Sequence, residues 1–356
     1  MKKLRNLMIV FLLVLGSIFV TIGLLYNYYS SSVSDNSENK KVVIENGTSS
    51  IKIGTILKEN NLIKSELFYK IYLKLFNVND LKAGTYDLNE SMPLGDIIDI
   101  IREGNNFNEN EIAITFREGI NMRKIAKLIE DNTNNSYDDV MDLVNDGEYL
   151  QELIDEYWFI TDDILNNKIY YSLEGYLYPD TYRFNNKDVT VKEIFDKLIK
   201  KMNDILTPLK SEIESSEFSV HELLTLASIA ELEVNIESDR NKVVKVFMNR
   251  LDEKMSLGSD ITTRYSIKLD DTRPLKKSEY NSVNAYNTRS SSMAGKLPAG
   301  PIGMISKNSI EASVNPADID ALYFISNIKT NETFFFRKYS DFENKKDELA
   351  SVNQGY

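Results

Sequence analysis

The feature that most constrains this chain is an uncharged run of nineteen residues near its N-terminus, Leu7 to Leu25. At 1.5 Å rise per residue, a helix of that length spans roughly the ~30 Å hydrocarbon core of a bilayer. Three basic residues precede the run and three tyrosines follow it, which predicts a cytoplasmic N-terminus. A cleaved signal peptide is the alternative, but its apolar stretch is usually ~7–15 residues long. We therefore expect a single-pass anchor in the cell membrane, with the bulk of the chain extracytoplasmic.

Composition narrows the chemistry that the rest of the chain can perform. The net charge of −12 leaves no basic surplus to neutralise phosphates, so nucleic acid is not expected as a partner. Cysteine is absent and His221 is the single histidine, which excludes thiolate ligands, cysteine nucleophiles and sites that need two imidazoles. We expect no metal and no cofactor, and a chemistry of carboxylates, hydroxyls or amides.

Changes of composition and periodicity divide the chain into segments. The predicted boundaries are a cytoplasmic tail at 1–6, a transmembrane helix at 7–25, a flexible linker at 29–40, a small unit at 41–104 and a larger domain at 110–350. The linker is rich in serine and asparagine. The small unit shows the order strand, helix, helix, strand, helix, with the last helix ending at Gly104. The fold class expected from this mixture is α+β.

One helix carries the strongest candidate for catalysis. A capping box at 219–222 predicts its start, and its body, LLTLASIAELE, is apolar almost all round and should be buried. Glu231 lies on an apolar stripe near the end of this helix. Burial favours the neutral carboxyl and raises its pKa, which is how a glutamic acid serves as a general acid near neutral pH. The alternative is a structural ion pair of Glu231 with Arg240 or Arg250.

Three segments after this helix have sequence patterns that predict their local structure. Residues 259–263 predict a polar loop. Residues 295–303 hold two prolines and three glycines, which predicts a stiff loop that permits close backbone approach, as a substrate groove requires. A rigid connector is an equally open interpretation of that loop. Residues 322–325 and 333–336 predict a β-hairpin.

Seven motifs occur in a fixed order: LEGYLYPDTYRF at 173–184, ASIAELE at 227–233, FMNRL at 247–251, SDITTRY at 259–265, AYNT at 285–288, LPAGPI at 297–302 and NPADIDALYF at 315–324. In this combination the chain resembles the YceG-like (MltG) endolytic murein transglycosylases of the bacterial cell envelope. The resemblance covers nearly everything after the linker. The small unit after the linker resembles the membrane-proximal LysM-like subdomain of that family.

The resemblance implies both a fold and an activity. The fold is a single transmembrane helix, a LysM-like subdomain and a mixed α/β YceG-like catalytic domain, with its catalytic half at 219–345. The activity is cleavage of the MurNAc-GlcNAc bond within nascent peptidoglycan strands, which leaves 1,6-anhydroMurNAc ends. Glu231 is implied as the general acid and then the base. The implied partners are the glycan strands, the membrane, and peptidoglycan synthases or elongation proteins.

The resemblance implies that seven further residues in these motifs orient Glu231 or bind sugar. They are Glu174, Asn249, Asp260, Thr262, Tyr286, Asn287 and Thr288. For each of them a structural hydrogen bond is an equally open interpretation. The loop after residue 297 departs from the family, with Ala299 in place of a second proline and no NPG-like turn, which leaves a changed rate or glycan preference open.

Two other functions stay open at this point. The first is a catalytically weak or inactive scaffold that binds peptidoglycan near the synthesis machinery. The second is a hydrolase that uses Glu233 or Glu237 as a second carboxylate, although Glu233 should point away from Glu231 on a continuous helix.

Overall fold

The computed structural model describes residues 2–45, 47–104, 110–234 and 236–353, with the backbone alone at 2–10 and at residue 12. The chain separates into two compact units between Glu111 and Ile112. We describe each unit by itself.

Unit 1 has the element order predicted from the sequence. It contains α1 Lys2–Ser30, β1 Lys40–Ile44, α2 Ser50–Glu59, α3 Glu66–Leu75, β2 Gly84–Leu88 and α4 Leu94–Glu103. β1 and β2 pair antiparallel, with Val42 opposite Tyr86. Helix α4 ends at Gly104, whose left-handed φ of 73° suits a residue without a Cβ. A separate core of buried residues, including Leu57, Tyr69 and Ile97, holds these elements together.

Helix α1 is longer than the predicted span. Its 29 residues rise about 44 Å at 1.5 Å each. The segment Leu13–Ser30 is apolar enough to cross a bilayer, and no part of it is buried in the protein. After Ser30 the predicted linker has no regular structure until β1, but the backbone N–H groups of Val33 and Ser34 donate to the Glu90 carbonyl at 3.0 and 3.1 Å.

Among its described residues, unit 2 contains the remaining helices and two antiparallel strand pairs, Ile112–Thr115 with Thr181–Phe184 and Tyr323–Ser326 with Thr333–Phe336. Its elements are β3 Ile112–Thr115, α5 Met122–Asn132, α6 Tyr137–Val144, α7 Gly147–Glu156, β4 Thr181–Phe184, α8 Val191–Leu206, α9 Lys210–Ser215, α10 Val220–Glu233, α11 Glu237–Asp252, α12 Asp260–Ser266, α13 Lys277–Tyr280, α14 Lys307–Val314, β5 Tyr323–Ser326, β6 Thr333–Phe336 and α15 Tyr339–Asn353. The hairpin predicted near the C-terminus is confirmed, with Phe324 opposite Phe335.

Helix α10 is the buried centre of unit 2. Its capping box forms as predicted, since the Ser219 side chain accepts from the Glu222 N–H and the Glu222 carboxylate accepts from the Ser219 N–H. Apart from Glu222, every residue from Val220 to Ala230 is buried. The helix packs against α11, α12 and α14. Protein therefore surrounds the helix, as expected for a helix that is apolar almost all round.

The predicted polar loop at 259–263 is wrong, because a helix starts there. Asp260 begins α12, and the Ser259 side chain caps it by accepting from the Thr262 N–H at 3.4 Å. Thr262 and Thr263 are fully buried. Serine and threonine are typical of loops because their hydroxyls can hydrogen-bond to nearby backbone groups in place of helical hydrogen bonds. In α12 these hydroxyls bond within the helix and to its neighbours.

The turn at Gly175 gives a test of this packing. Its φ of +79° disfavours any side chain, and a Cβ there would collide with Cβ of Pro301. We expect Gly175→Ala to lower the free energy of unfolding by roughly 2–4 kcal/mol, from backbone strain and overpacking together. The matched control is Gly147→Ala, where a new Cβ meets nothing within 4 Å. Denaturant unfolding of both variants measures the difference, and an equal, small effect would contradict the tight contact.

Candidate active site

Glu231 is held in a closed triangle with Arg240 and Ser306. Its side chain is 5% exposed, and its Oε1 lies 2.8 Å from Nη2 of Arg240. Its Oε2 accepts from the Ser306 backbone N–H at 3.0 Å and from the Ser306 hydroxyl at 2.5 Å. Nη1 of Arg240 donates to the same hydroxyl oxygen at 2.9 Å. The ion pair with Arg240 that the sequence left open is therefore present, and all these contacts suit a carboxylate.

Three helices bring this triangle together. Glu231 lies in the last turn of α10, Arg240 in the first turns of α11, and Ser306 is the N-cap of α14. The Ser306 oxygen also accepts from the Ser309 N–H at 3.2 Å, so one hydroxyl caps a helix and fixes the glutamate. Ser306 lies in the segment that departs from the family motif, which is why the sequence pattern did not mark it.

The loop before Ser306 is fixed to the core of unit 2. The Ile302 N–H donates to the Ser228 hydroxyl at 3.1 Å, and the Met304 N–H donates to the Ile120 carbonyl at 2.8 Å. The ring of His221 bonds the Ala299 carbonyl at 2.9 Å and the Tyr176 hydroxyl at 2.7 Å. The predicted stiffness of this loop thus comes from hydrogen bonds to α10 and its surroundings as well as from proline.

Glu233 faces a different environment from Glu231. Two residues along a helix turn the side chain by about 200°, and Glu233 lines a cavity of about 510 Å³ while Glu231 does not. Burial raises the pKa of the Glu233 carboxyl, against the opposing influence of a hydrogen bond with Ser259 and of Arg289 and Arg250. Glu237, at the start of α11, is not among the residues that line this cavity.

The cavity has an aromatic side and a charged side. Tyr323, Tyr339 and Phe342 form a cluster with ring centroids 5.3–5.9 Å apart. Tyr339 is 51% exposed, so its ring is open to a ligand. The charged side is formed by Glu233, Arg250 and the exposed pair of Asp260 with Arg289. The spacing of Tyr339 and Phe342 on one helix is the sequence signal for these aromatic residues, but only the fold brings them to the same cavity as Glu233.

Of the other predicted site residues, Asp260 alone lines this cavity. Asn249 donates to the Ile319 and Ala321 carbonyls at 3.0 and 2.9 Å. The remaining positions are almost fully buried and bonded within unit 2: Glu174, Thr262, Tyr286, Asn287 and Thr288. Thr262 and Thr288, for example, share a hydrogen bond of 2.7 Å between their hydroxyls. These contacts are structural hydrogen bonds, the alternative that the sequence left open for each of these residues. Sugar binding by them stays a prediction.

Glu174 is the most deeply placed carboxyl of this group. Both of its oxygens accept from the Met122 N–H at the start of α5, each at 3.0 Å, and Oε2 accepts from the Tyr265 hydroxyl at 2.9 Å. Burial nevertheless raises the pKa of Glu174 to about 7, from an ordinary value of 4.5. Between about pH 4.5 and 7 we therefore expect Glu174 to hold a proton in the folded protein that it releases in the unfolded chain.

That proton predicts a pH-dependent stability. The raised pKa of Glu174 stabilises the fold fully below about pH 4.5, and this stabilisation is lost as pH rises through about 7. We expect about 3 kcal/mol of the free energy of unfolding to depend on pH in this way, and Glu174→Gln to remove that dependence. Denaturant titrations of both proteins between pH 4.5 and 8.5 measure it. Parallel curves for the two proteins would contradict the assignment.

Comparison with known proteins identifies relatives of this chain. A model of the YceG-like family matches residues 42–348. The endolytic murein transglycosylase of Bacillus subtilis (strain 168) is 35% identical over 323 residues, which cover 90% of this chain and 88% of that protein. The endolytic murein transglycosylase of Streptococcus pneumoniae serotype 2 (strain D39) is 29% identical over 337 residues, which cover 89% of this chain and 60% of that protein.

A solved structure is similar over both units. The crystal structure of the yceG-like protein lmo1499 from Listeria monocytogenes superposes with a TM-score of 0.62 at 31% sequence identity. The match covers 87% of this chain and all of the other. The resemblance drawn from the seven motifs is thereby confirmed, and the chain belongs to the YceG-like family.

Proposed function

We propose that this protein is a membrane-anchored endolytic transglycosylase that cleaves peptidoglycan glycan strands. The observation that carries the proposal is the match to the Bacillus subtilis endolytic murein transglycosylase over nine tenths of this chain. The reaction breaks the MurNAc-GlcNAc bond and leaves a 1,6-anhydroMurNAc end. A carboxyl-bearing helix end, fixed beside a stiff loop, supports this chemistry in a chain without cysteine and with one histidine.

The lytic route needs one carboxyl group, which we assign to Glu231. In its acid form Glu231 gives a proton to the glycosidic oxygen while the bond from that oxygen to C1 of MurNAc breaks. The resulting carboxylate accepts the proton of the C6 hydroxyl, whose oxygen then bonds to C1 of the same sugar. The proton returns to Glu231, and attack within one sugar needs neither water nor a second carboxylate.

The contacts that Glu231 makes in the structure suit the second half of this cycle, in which its carboxylate accepts the proton of the C6 hydroxyl. Arg240 and the two Ser306 donors stabilise the carboxylate, which is the base. For the first half Glu231 must carry a proton, so its contact with Arg240 must lengthen when the glycan binds.

Glu233 is the second candidate for the proton donor. It lines the cavity of about 510 Å³, and burial raises its pKa toward the range in which a carboxyl acid stays neutral. Its neighbours Asp260 and Arg289 offer hydrogen-bonding groups to a polar ligand. Glu233 in place of Glu231 as the proton donor is therefore the specific alternative to our assignment.

The same cavity is where we place a sugar of the strand. A pyranose ring has apolar C–H faces and polar hydroxyl edges, and both aromatic and charged side chains line this cavity. We include Asp260 among the sugar-binding residues on this ground.

The remaining parts of the proposal concern location. Helix α1 would anchor the protein with its N-terminus in the cytoplasm, and the rest of unit 1 and all of unit 2 would lie outside. The region 41–104 would act as a LysM-like subdomain, for which its own buried core is the support. Peptidoglycan synthases or elongation proteins would be the protein partners.

Product analysis of two glutamine variants tests the chemistry. We expect the full chain in detergent to release fragments with anhydromuramyl ends, detected by mass spectrometry as one water lighter than reducing ends. Glu231→Gln should lower the rate by about 10²–10⁴-fold, because general acid–base catalysis contributes that much. Glu233→Gln should leave most of the rate if Glu231 is the proton donor, and should lower it by a similar factor of about 10²–10⁴ if Glu233 is the donor.

The control and the contrary outcomes of this experiment are distinct. Glu214→Gln, an exposed glutamate in an i,i+4 pair with Lys210, should leave the rate unchanged. Reducing ends from the unmodified chain would identify a hydrolase. An intact fold that binds glycan without any cleavage would identify the scaffold function. A fully active Glu231→Gln would remove Glu231 from the mechanism.

Removal of the exposed ring tests the position of the sugar. We expect Tyr339→Ala to raise KM for glycan roughly five- to tenfold with little change in kcat, since an aromatic contact of this kind contributes ground-state binding. The matched control is Leu165→Ala, because Leu165 is 48% exposed and lies outside the cavity. Equal KM values for both variants and the unmodified chain would place the sugar elsewhere.

A further inference from the structure

One face of α3 exposes a stripe of large apolar side chains. Leu67, Ile71 and Leu75 follow one another at four-residue spacing, and Phe76 comes directly after the helix. Their exposed fractions are 70%, 52%, 65% and 51%, in that order. We call Leu67, Ile71 and Leu75 the α3 stripe, because they lie within about 80° of one another around the helix, whereas Phe76 lies about 180° around from Leu67. Such a contiguous exposed surface is costly in water and marks an interaction site.

The opposite face of the same helix is already used. Tyr69 and Leu73 are buried in the core of unit 1. On a helix they lie about 200° and 240° around from Leu67, so the stripe cannot turn into that core without removing them. The stripe therefore needs an occupant from outside unit 1.

The position of α1 identifies the occupant. The apolar segment that is able to cross a bilayer ends at Ser30. At that end the ring of Tyr29 stacks on Phe68 with centroids 5.4 Å apart, and Tyr26 meets the same ring edge-on at 5.8 Å. Nζ of Lys64 donates to the Tyr28 carbonyl at 2.8 Å. Helix α3 thus begins where α1 would leave the membrane, beside the aromatic residues expected at an interface.

Charge on α3 fits the same surroundings. Lys70 and Lys74 are exposed and lie about 60° and 20° around the helix from Leu67, along one edge of the stripe. Lysine stems extend along apolar surface while the ammonium groups reach headgroup phosphates. An apolar face bordered by lysines is the pattern of a helix that lies in the membrane interface.

From these contacts we infer that α3 lies on the lipid surface, with the α3 stripe at the boundary of headgroups and acyl chains. The inference rests on α1 spanning the membrane, which belongs to the proposed function, and not on the cleavage chemistry. It gives unit 1 a second attachment to the bilayer besides the anchor.

The absence of cysteine from the chain makes a direct test possible. Ile71→Cys and, separately, Leu75→Cys in the full chain are labelled with an environment-sensitive fluorophore and placed in nanodiscs with anionic phospholipid. Brominated acyl chains should quench either label about threefold or more beyond a label on Leu165→Cys, because quenching needs contact with the bilayer. Leu165 is a matched control as an exposed apolar residue of unit 2.

Two results would overturn the inference. Labels on the stripe that soluble iodide quenches as well as it quenches the Leu165 label would overturn the inference. Shielding in native membranes but not in nanodiscs of the purified chain would assign the stripe to a protein partner and also overturn it. None of these readouts uses turnover, so an inactive protein that still shows lipid contact would refute the proposed activity and leave the lipid contact standing.

Discussion

The buried contact of Glu231 with Arg240 is the interaction on which the packing around the candidate site depends. Two charges taken out of water cost several kcal/mol each, and only close geometry offsets that cost. Here the pair at 2.8 Å and the two Ser306 donors provide it, and they do so from three different helices. The N-terminal ends of α11 and α14 are thereby fixed relative to the C-terminal end of α10, which sets the shape of the surface around the glutamate.

This arrangement is not the one that stability alone would favour. Among the described residues, Nε of Arg240 is buried and has no hydrogen-bond partner. A buried donor without a partner carries an uncompensated desolvation cost, and such groups are retained where function requires them. An arginine that is incompletely bonded is also easier to displace, which a glutamate that alternates between acid and base would need.

The end of α10 presents two carboxyls to two different environments. Glu231 meets a cation and two donors, whereas Glu233 meets a cavity in which burial raises its pKa. Separation of acid and base character between neighbouring carboxyls is a general device of glycan-cleaving sites. Because the two residues are only two positions apart, a small change in how a strand lies across the helix end decides which of them it touches.

The sequence by itself determined the parts that depend on local patterning. The uncharged N-terminal run, the element order of unit 1, the capping box of α10 and the C-terminal hairpin follow from hydrophobic period and turn residues, which act over a few positions. The motif order also identified the family, and the catalytic role that it implied for Glu231 stays a prediction. Only the tertiary structure decided that Glu231 pairs with Arg240 and not with Arg250, that residues 259–263 start a helix, and that the cavity lies beside Glu233. These outcomes depend on contacts between residues far apart in the chain, such as Glu231 with Ser306, which are 75 positions apart. No local pattern specifies which of several possible partners packing will bring together.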